Sequence, residues 1–331
     1  MNNYEAASSS PAPLLVLDGL KKHYPIRRGL LNRSVNSIKA VDGVDLTILP
    51  GETLGLVGES GCGKSTIGRS IVGLEKPTEG RILFEGTEIS SLSNREMTDF
   101  RSKLQIVFQD PYSSLNPRKS IEDLLAEPLL VHRIVPKNEV SSEVDRLLEI
   151  VGLPTTSKHR YPHEFSGGQR QRVGIARALS LRPKLIVCDE PVSALDVSIQ
   201  AQVMNLLKDL QQELNLTYLF IAHGLGAVKY MSDRIAVMYL GKIVEIGTAE
   251  ELFRNPKHPY TKALLDAFPI ANPRLRLNAR TVLQDDAINA NPSSHGCRFY
   301  SRCPVATAQC REQEPELIGD GDHASACFFS N

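Results

Sequence analysis

The sequence predicts an α/β fold: a parallel sheet covered by helices, an antiparallel β region, a helical subdomain and a small cysteine-rich tail. The apolar runs "KLIVCDE" and "TYLFIAH" are short, and a helix-length segment at 196–214 separates them, which is the pattern of a βαβ unit in a parallel sheet. The stretch "GESGCGKST" at 58–66 lies between an apolar strand and a helix predicted to begin near Lys64. That context is typical of a phosphate-binding loop, or P-loop.

Length and composition are those of an ordinary globular chain. The 331 residues amount to about two domains by length, and 41% of them are hydrophobic, enough for a sizeable core. Lys plus Arg and Asp plus Glu both total 38, so no net charge draws the chain to nucleic acid or to an anionic membrane surface. We therefore predict no nucleic-acid partner.

The N-terminal segment "MNNYEAASSSPAP" lacks the basic start and apolar centre of a signal peptide. No stretch approaches the ~18 consecutive apolar residues of a membrane span. We expect a chain that is neither exported nor membrane-spanning and that resides in a reducing cytosol. Residues 1–13, rich in Ser, Ala and Pro, are expected to be a disordered leader.

From residue 14 onward, β-strands are predicted first. The stretch from "LLVLDGLKKHY" to "VDGVDLTILPGETLGLVG" alternates apolar and polar residues between glycines and prolines. This pattern predicts short antiparallel strands followed by a more buried one. The basic segment "RRGLLNRSVNSIKA" between them is expected to be a hairpin or a loop.

The middle of the chain, from about 94 to 180, is predicted to be mainly helical. The clearest amphipathic helix is "NEVSSEVDRLLEIVGL", with Gly152 as its C-terminal cap. Beyond the two buried strands, "RIAVMYLGKIVEIG" predicts a last hairpin that turns at Gly241.

The stretch 58–66 matches the pattern G-x-x-x-x-G-K-[ST]. Its glycines let the backbone curl so that successive N–H groups point at phosphate oxygens. Lys64 would reach the β- and γ-phosphates of ATP, and Ser65 would offer its hydroxyl to Mg²⁺. The predicted nucleotide contacts of this loop are Gly58, Glu59, Ser60, Gly61, Cys62, Gly63, Lys64, Ser65 and Thr66, with Cys62 acting as a small residue only.

The run "LIVCDE" places two carboxylates at the tip of the next buried strand. Asp189 is predicted to hold the Mg²⁺ shell, and Glu190 to orient or deprotonate the attacking water. A strand can also end in Asp-Glu without catalytic meaning. The P-loop upstream is what favours the catalytic interpretation.

Between these motifs lies "FSGGQRQR", residues 165–172. It closely resembles the LSGGQ signature of ATP-binding cassette (ABC) ATPases, with Phe165 in place of the leading Leu. The motif order also matches that family: P-loop, "FQD", signature, carboxylate pair, "SALD" and a histidine at a strand end. The resemblance covers about 14–270. It implies an ABC nucleotide-binding domain with a RecA-like parallel sheet, an antiparallel β subdomain and a helical subdomain at about 94–168.

The resemblance also implies a role for each motif, and "SGG" of the signature is predicted to lie at a helix N-terminus, which is a ready-made anion site. In the family, the signature of one subunit faces the ATP bound by a second subunit, so a dimer hydrolyses ATP; here the signature contacts would be Ser166, Gly167, Gly168 and Gln169. The implied catalytic residues are Glu190, His223, Gln109 and Lys64, with Ser65, Gln109 and Asp189 around the Mg²⁺. Taken singly, a Gln such as Gln109 is more often a surface amide and a His such as His223 more often a structural histidine, so the catalytic interpretation depends on the whole set of motifs.

Two positions leave questions open. Tyr24 in "KKHYPI" is the candidate ring for stacking on adenine, although a packed strand tyrosine is the alternative. Gly224 follows His223 where relatives usually carry Asp, which leaves open how the switch loop is held and how fast the site turns over.

Two further segments, "VFQDPYSSLNPRKSI" and "NPKHPYTKALL" at 255–265, resemble ATP-binding subunits of oligopeptide and dipeptide importers. The resemblance implies an ATPase subunit peripheral to the cytoplasmic face of a membrane. Its partners would be a homologous ATPase subunit in a heterodimer, two permeases and an external peptide-binding protein. Alternatives are another cargo, namely nickel, glutathione or antimicrobial peptides, and a soluble ABC ATPase of iron–sulfur assembly. A cassette ATPase acting on DNA or ribosomes is disfavoured by the single P-loop.

The segment 271–331 is predicted to be a C-terminal extension with a four-cysteine metal site. Its ligands would be Cys297, Cys303, Cys310 and Cys327, separated by five, six and sixteen residues. Both zinc and a [4Fe–4S] cluster take four thiolates, and metal binding would supply folding energy to a segment without a core of its own.

The stretch "CRFYSRCPVATAQC" resembles the C-terminal cysteine motif of peptide-importer ATPases, for some of which iron–sulfur binding is implied. We therefore place [4Fe–4S] ahead of zinc, with disulfides or free thiols as the remaining alternatives. Cys188 is excluded because it lies on a core strand. His295 and His323 are kept as replacement ligands.

Overall fold

The computed structural model describes residues 12–28, 33–267, 295–320 and 323–330. Most of the predicted leader and the predicted boundary at 270/271 lie outside the described residues. Within the described ranges, no helix combines the length and the apolar character needed to cross a membrane.

The described residues form strands and helices that alternate along most of the chain. The strands are β1 Leu15–Arg28, β2 Arg33–Ile48, β3 Thr53–Val57, β4 Glu79–Phe84, β5 Thr87–Glu88, β6 Leu104–Val107, β7 Leu185–Asp189, β8 Thr217–Ile221, β9 Arg234–Tyr239, β10 Lys242–Thr248, β11 Ile318–Asp320 and β12 His323–Ser325. The α-helices are α1 Lys64–Ile71, α2 Met97–Lys103, α3 Pro111–Ser114, α4 Ile121–Val131, α5 Val140–Ile150, α6 Gly167–Leu179, α7 Val197–Leu214, α8 Leu225–Met231, α9 Ala249–Arg254, α10 Pro259–Asp266 and α11 Ala308–Glu312.

The main sheet has eight strands in the order β11-β12-β10-β9-β3-β8-β7-β6. The five strands from β9 to β6 are parallel, as the βαβ pattern predicts. Strands β3, β7 and β8 are buried along their whole length, since helices or the second sheet cover each face. The carboxyl ends of these strands therefore meet at one edge, where ligands bind in sheets of this kind.

A second, antiparallel sheet has the order β2-β1-β4-β5. Strands β1 and β2 contain 14 and 16 residues, so the expectation of short strands was wrong. The glycines that interrupt the alternation, Gly19 and Gly43, have φ of 57° and 79° and coincide with register shifts between the two strands. They are β-bulges inside long strands rather than strand ends.

The middle of the chain is helical, with one exception. Strand β6 lies in this region and pairs in parallel with β7, a pairing that the prediction of a mainly helical stretch missed. Helix α5 ends as expected: Gly152 has φ of 69°, and its N–H donates to Glu149 O. The signature helix α6 and the helix α7 also begin at the predicted positions.

The C-terminal segment packs against the rest of the protein. Strand β12 pairs antiparallel with β10 and extends the main sheet. Phe299 is fully buried, with its ring centroid 5.3 Å from that of Tyr239 and 5.5 Å from that of Tyr260. The sequence predicts a tail without a core of its own; the tail instead contributes to the main core.

Candidate active site

The P-loop connects β3 to α1, which begins at Lys64 as predicted. Two of its glycines cannot be replaced without displacing backbone. A Cβ atom at Gly58 would lie 2.1 Å from Met238 O, and one at Gly63, where φ is 112°, would lie 2.0 Å from Ala40 O. The loop is therefore fixed by close backbone approach on both sides.

The ammonium group of Lys64 lies inside this loop and is buried. It donates hydrogen bonds to Gly58 O at 2.8 Å and Glu59 O at 2.9 Å. The Cys62 side chain is buried beside it, and burial raises the pKa of this thiol, so Cys62 stays neutral and serves as a small residue. The loop thus holds a positive charge at its centre, as phosphate binding requires.

The predicted magnesium ligands Ser65 and Asp189 meet across the site. Ser65 Oγ donates to Asp189 Oδ1 at 2.7 Å, because the first turn of α1 faces the carboxyl end of β7. A hydroxyl beside a carboxylate is a donor set suited to Mg²⁺, which takes oxygen ligands. Gln109, also predicted around the metal, is placed on Glu190 instead.

Glu190 has one partner on each carboxylate oxygen. Gln109 Nε2 donates to Oε2 at 2.8 Å, and His223 Nε2 lies 2.5 Å from Oε1. These side chains come from the ends of β6, β7 and β8, so the sheet edge brings the predicted catalytic residues together. Glu190 is buried, whereas Gln109 and His223 are exposed.

The backbone of Glu190 is strained. Its φ is 51°, in the left-handed region that costs a side-chain-bearing residue on the order of 1 kcal/mol. Its N–H donates to Ile221 O at 2.9 Å, which ties this conformation to β8. Strain of this kind concentrates at functional sites, because the surrounding structure must hold it in place.

The signature motif begins α6 with a reciprocal cap. Ser166 N donates to Gln169 Oε1 at 3.0 Å, and Gln169 N donates to Ser166 Oγ at 3.3 Å. Ser166 and Gly167 are exposed, while Phe165, the residue that departs from Leu, is buried. The cap places an exposed helix N-terminus, suited to an anion, on the surface.

Tyr24 lies on β1, and its hydroxyl donates to Glu75. Burial, followed by this bond, raises the pKa of Tyr24, and the Thr66 side chain is close enough to oppose the shift. Tyr24 is therefore beside the first turn of α1. Its role in stacking on adenine stays a prediction.

Two residues that sequence reasoning missed contact the P-loop at Glu59. Tyr260 accepts a hydrogen bond from Glu59 N at 2.9 Å. Arg302 forms a bidentate ion pair with the Glu59 carboxylate, with both N–O distances at 2.9 Å. Both residues belong to segments singled out for other reasons, namely "NPKHPYTKALL" and the cysteine motif.

The four tail cysteines line one small cavity, beneath Phe299 and His258. Burial raises the pKa of Cys297 to about 11, and the other three thiols add to the shift. Nevertheless, in the described ranges no group of three or more His, Cys, Asp or Glu side chains is placed to hold a metal ion. The structure thus brings the four thiols to one cavity without showing a metal site there.

Two further residues, His323 and Cys188, are relevant to the ligand set of this site. His323 Nε2 lies 2.7 Å from Glu245 Oε1, and His323 does not line the cavity of the four thiols, so its role as a replacement ligand stays a prediction. Cys188 is fully buried on β7, which agrees with its exclusion.

Comparison with known proteins gives two family matches. A model described as "ABC transporter" matches residues 41–193, and one described as "Oligopeptide/dipeptide transporter, C-terminal region" matches residues 244–310. The oligopeptide transport ATP-binding protein AppF of Bacillus subtilis is 54% identical over 307 residues, covering 92% of this chain and 93% of AppF. The oligopeptide transport ATP-binding protein OppF of Salmonella typhimurium is 50% identical over 320 residues, covering 95% of this chain and 96% of OppF.

Two solved structures of ABC proteins resemble this chain in fold. The ATP-binding cassette MJ0796, in a dimeric post-hydrolysis state bound to ADP and Pi, superposes with a TM-score of 0.64 at 30% identity, covering 71% of this chain and 98% of that one. CbiO1 from Clostridium perfringens superposes with a TM-score of 0.63 at 30% identity, and the match covers 73% of this chain and 91% of CbiO1.

The fold, the P-loop and the signature helix define an ABC-type ATPase. Within that class, the chain belongs to the family of oligopeptide transport ATP-binding proteins. The predicted ABC fold and the predicted family are thereby confirmed.

Proposed function

We propose that this chain hydrolyses ATP to energise an ABC importer for di- or oligopeptides. The observation that carries the proposal is the convergence of Lys64, the Ser65–Asp189 pair and the Gln109–Glu190–His223 group at one sheet edge. Both family matches and the named relatives support the ATPase class and the peptide cargo.

The phosphates of ATP would lie against the P-loop. Lys64 would exchange its carbonyl partners for β- and γ-phosphate oxygens, and the N–H groups from Gly61 to Thr66 would bind the remaining oxygens. Ser65 and Asp189 would hold the Mg²⁺, which supplies neutralisation of the phosphate charge when bound. Tyr24 would stack on the base.

Glu190 would orient the attacking water and accept its proton. Its two carboxylate oxygens are fixed by Gln109 and His223, so the carboxylate is aimed before ATP arrives. Because His223 also faces solvent, its imidazole would reach the γ-phosphate. Gly224 caps the N-terminus of α8 directly after His223, and a Cβ built there has nothing within 4 Å, so the Asp that relatives carry at this position would also fit.

A second ATPase subunit would complete the site. The exposed N-terminus of α6, with Ser166 and Gly167 at the surface, would bind the γ-phosphate held by a homologous partner. We infer a heterodimer of similar ATPase subunits, docked on two permeases at the cytoplasmic face of a membrane and served by an external peptide-binding protein. No nucleic acid takes part.

The experiment that tests the function is uptake in cells that carry this chain as wild type or as Lys64→Ala. Loss of labelled di- and tripeptide uptake in the variant supports the proposal, because Lys64 is the charge that holds the phosphates. Loss of nickel or glutathione uptake with peptide uptake intact would reassign the cargo. Unchanged uptake of every cargo, with defective iron–sulfur enzymes, would favour cluster assembly.

We propose further that 14–270 is the nucleotide-binding domain and 271–331 an extension with a [4Fe–4S] cluster on Cys297, Cys303, Cys310 and Cys327. Support comes from the shared cavity of the four thiols. Zinc, the alternative, needs sulfurs about 3.8 Å apart, given Zn–S bonds of about 2.3 Å. A [4Fe–4S] cluster also takes four thiolates, and the resemblance of the cysteine motif places it ahead of zinc.

The test for the tail is iron, acid-labile sulfide and zinc per chain after anaerobic purification. About four irons and four sulfides per chain would support the cluster, and about one zinc would replace it with a zinc site. If Cys303→Ser removes the metal but leaves transport and stability unchanged, the metal has neither a structural nor a regulatory role.

A further inference from the structure

The C-terminal tail reaches the nucleotide site through one ion pair. Arg302 Nη1 and Nη2 each donate to a different carboxylate oxygen of Glu59 at 2.9 Å, a pairing across 243 positions of sequence. The side chain of Arg302 is 9% exposed and that of Glu59 is 26% exposed. A bidentate ion pair of this kind fixes the orientation of the carboxylate and also neutralises its charge.

The surroundings of Arg302 shield this pair from water. The guanidinium carbon lies 5.7 Å from the ring centroid of Tyr239 and 5.9 Å from that of Phe299, and Nη1 donates to the Tyr239 hydroxyl at 3.2 Å. Screening by solvent and salt is therefore weaker here than at a surface ion pair.

Stability alone does not explain the placement of Arg302. Its Nε atom is buried and has no hydrogen-bond partner within the described residues. An unpartnered buried donor costs free energy, and an apolar residue at the same position would avoid that cost. An apolar residue, however, would not place a positive charge beside the Glu59 carboxylate.

Glu59 in turn makes contacts through three groups: its carboxylate, its N–H and its carbonyl. Its carboxylate binds Arg302, its N–H donates to the Tyr260 hydroxyl at 2.9 Å, and its carbonyl accepts from Lys64 Nζ at 2.9 Å. A continuous set of contacts thus runs from the tail through Glu59 to the lysine that binds phosphate. A free carboxylate at this position would also repel a triphosphate.

We propose that Arg302 is a positioning residue for the nucleotide site, which neutralises Glu59 and fixes the P-loop around Lys64. The tail thereby sets the affinity of the P-loop for nucleotide phosphates. This inference rests on the proposed function only in requiring that ATP bind at the P-loop.

The test is equilibrium binding of the non-hydrolysable analogue AMP-PNP, and of ADP, to the full chain. We expect Arg302→Ala to weaken AMP-PNP binding about tenfold, because the Glu59 carboxylate is then no longer neutralised and repels the phosphates, and to weaken ADP binding by less, since ADP carries less charge. The affinity of Arg302→Lys for AMP-PNP should lie between those of wild type and Arg302→Ala, because lysine keeps the charge but cannot form the bidentate contact. The exposed tail residue Arg311 provides the control, Arg311→Ala.

The second variant separates charge from packing. Adding Glu59→Gln to Arg302→Ala removes the carboxylate that Arg302 neutralises, so the double variant should recover most of the lost affinity. If the double variant binds as weakly as Arg302→Ala, or if Arg302→Ala binds like wild type, the proposal is wrong. Loss of binding in Lys64→Ala would show in the same assay that the P-loop itself is the nucleotide site.

Discussion

The P-loop and the cysteine cavity are two candidate ligand sites prepared to different degrees. At the P-loop the main side chains already contact one another, with Lys64 held by two carbonyls and Ser65 bonded to Asp189. At the cavity the four cysteines line one small space, but in the described ranges no group of three or more His, Cys, Asp or Glu side chains is placed to hold a metal ion. Backbone and neighbouring strands therefore fix the side chains of the first site, whereas at the second site the thiols share a cavity and their ligand remains a proposal.

The largest expected effect concerns chemistry at the prepared site. Glu190→Gln keeps the shape but removes the base, so ATP hydrolysis should fall by about 10³-fold while AMP-PNP binding is retained. Phosphate release measures the first quantity and equilibrium titration the second. Glu213→Gln, at an exposed glutamate of α7, is the control. Hydrolysis at the wild-type rate in Glu190→Gln would show that another group orients the water.

The next effect tests whether the tail depends on the main core. Phe299→Ala removes a fully buried ring and should lower the free energy of unfolding by about 3–5 kcal/mol. Phe329→Ala, in the same tail but 47% exposed, should change it little. Chemical denaturation measures the free energy of unfolding of both variants and of wild type. Equal small effects would mean that the tail contributes nothing to the core.

A smaller effect tests the backbone of the P-loop. Gly63→Ala places a Cβ atom 2.0 Å from Ala40 O at a φ of 112°, so we expect a loss of about 1–3 kcal/mol in stability and weaker nucleotide binding. Gly174→Ala on α6 has no atom within 4 Å of the new Cβ and should be stabilising by about 0.5–1 kcal/mol. Thermal unfolding compares the two, and a tolerated Gly63→Ala would contradict the close-approach argument.

The smallest effect concerns the other anchor of the tail, the ion pair of Arg298 with Asp42. Burial raises the pKa of Asp42, but the neighbouring Arg298, together with His23 and Lys39, outweighs it and lowers the pKa to about 2. The lowered pKa contributes stability that is complete above 3.8, the ordinary value, and is lost as the pH falls through about 2.

Asp42→Asn should therefore cost about 1–2 kcal/mol at pH 7, after allowance for partial exposure, and progressively less below pH 4. Urea unfolding at a series of pH values measures this difference. Asp18→Asn, at an exposed pair with Arg81, is the comparison. A cost for Asp42→Asn that does not shrink at low pH would mean that the carboxylate charge is not what matters.

The sequence predicts those parts of the fold that depend on local pattern. The P-loop, the start of α6 at Ser166 and the cap at Gly152 each follow from a few adjacent residues, and the structure places them as predicted. Whether each site residue performs its predicted role stays a prediction, although Glu190, Gln109 and His223 do meet.

What the sequence does not predict depends on distant pairing. Strand β6 has four residues and no alternation, so only its pairing with β7 identifies it. Strand β12 forms on the edge that β10 offers. The contact of Arg302 with Glu59 joins two motifs that were interpreted separately, and no short-range pattern connects them.

The separation of Arg302 from Glu59 also has a consequence for biosynthesis. At about 5–20 residues per second, the 243 positions between them take roughly 12 to 50 s to translate. During that interval the P-loop has left the ribosome, but its Glu59 carboxylate has no arginine partner. A nascent chain therefore carries an unfinished nucleotide site until its cysteine tail has been made.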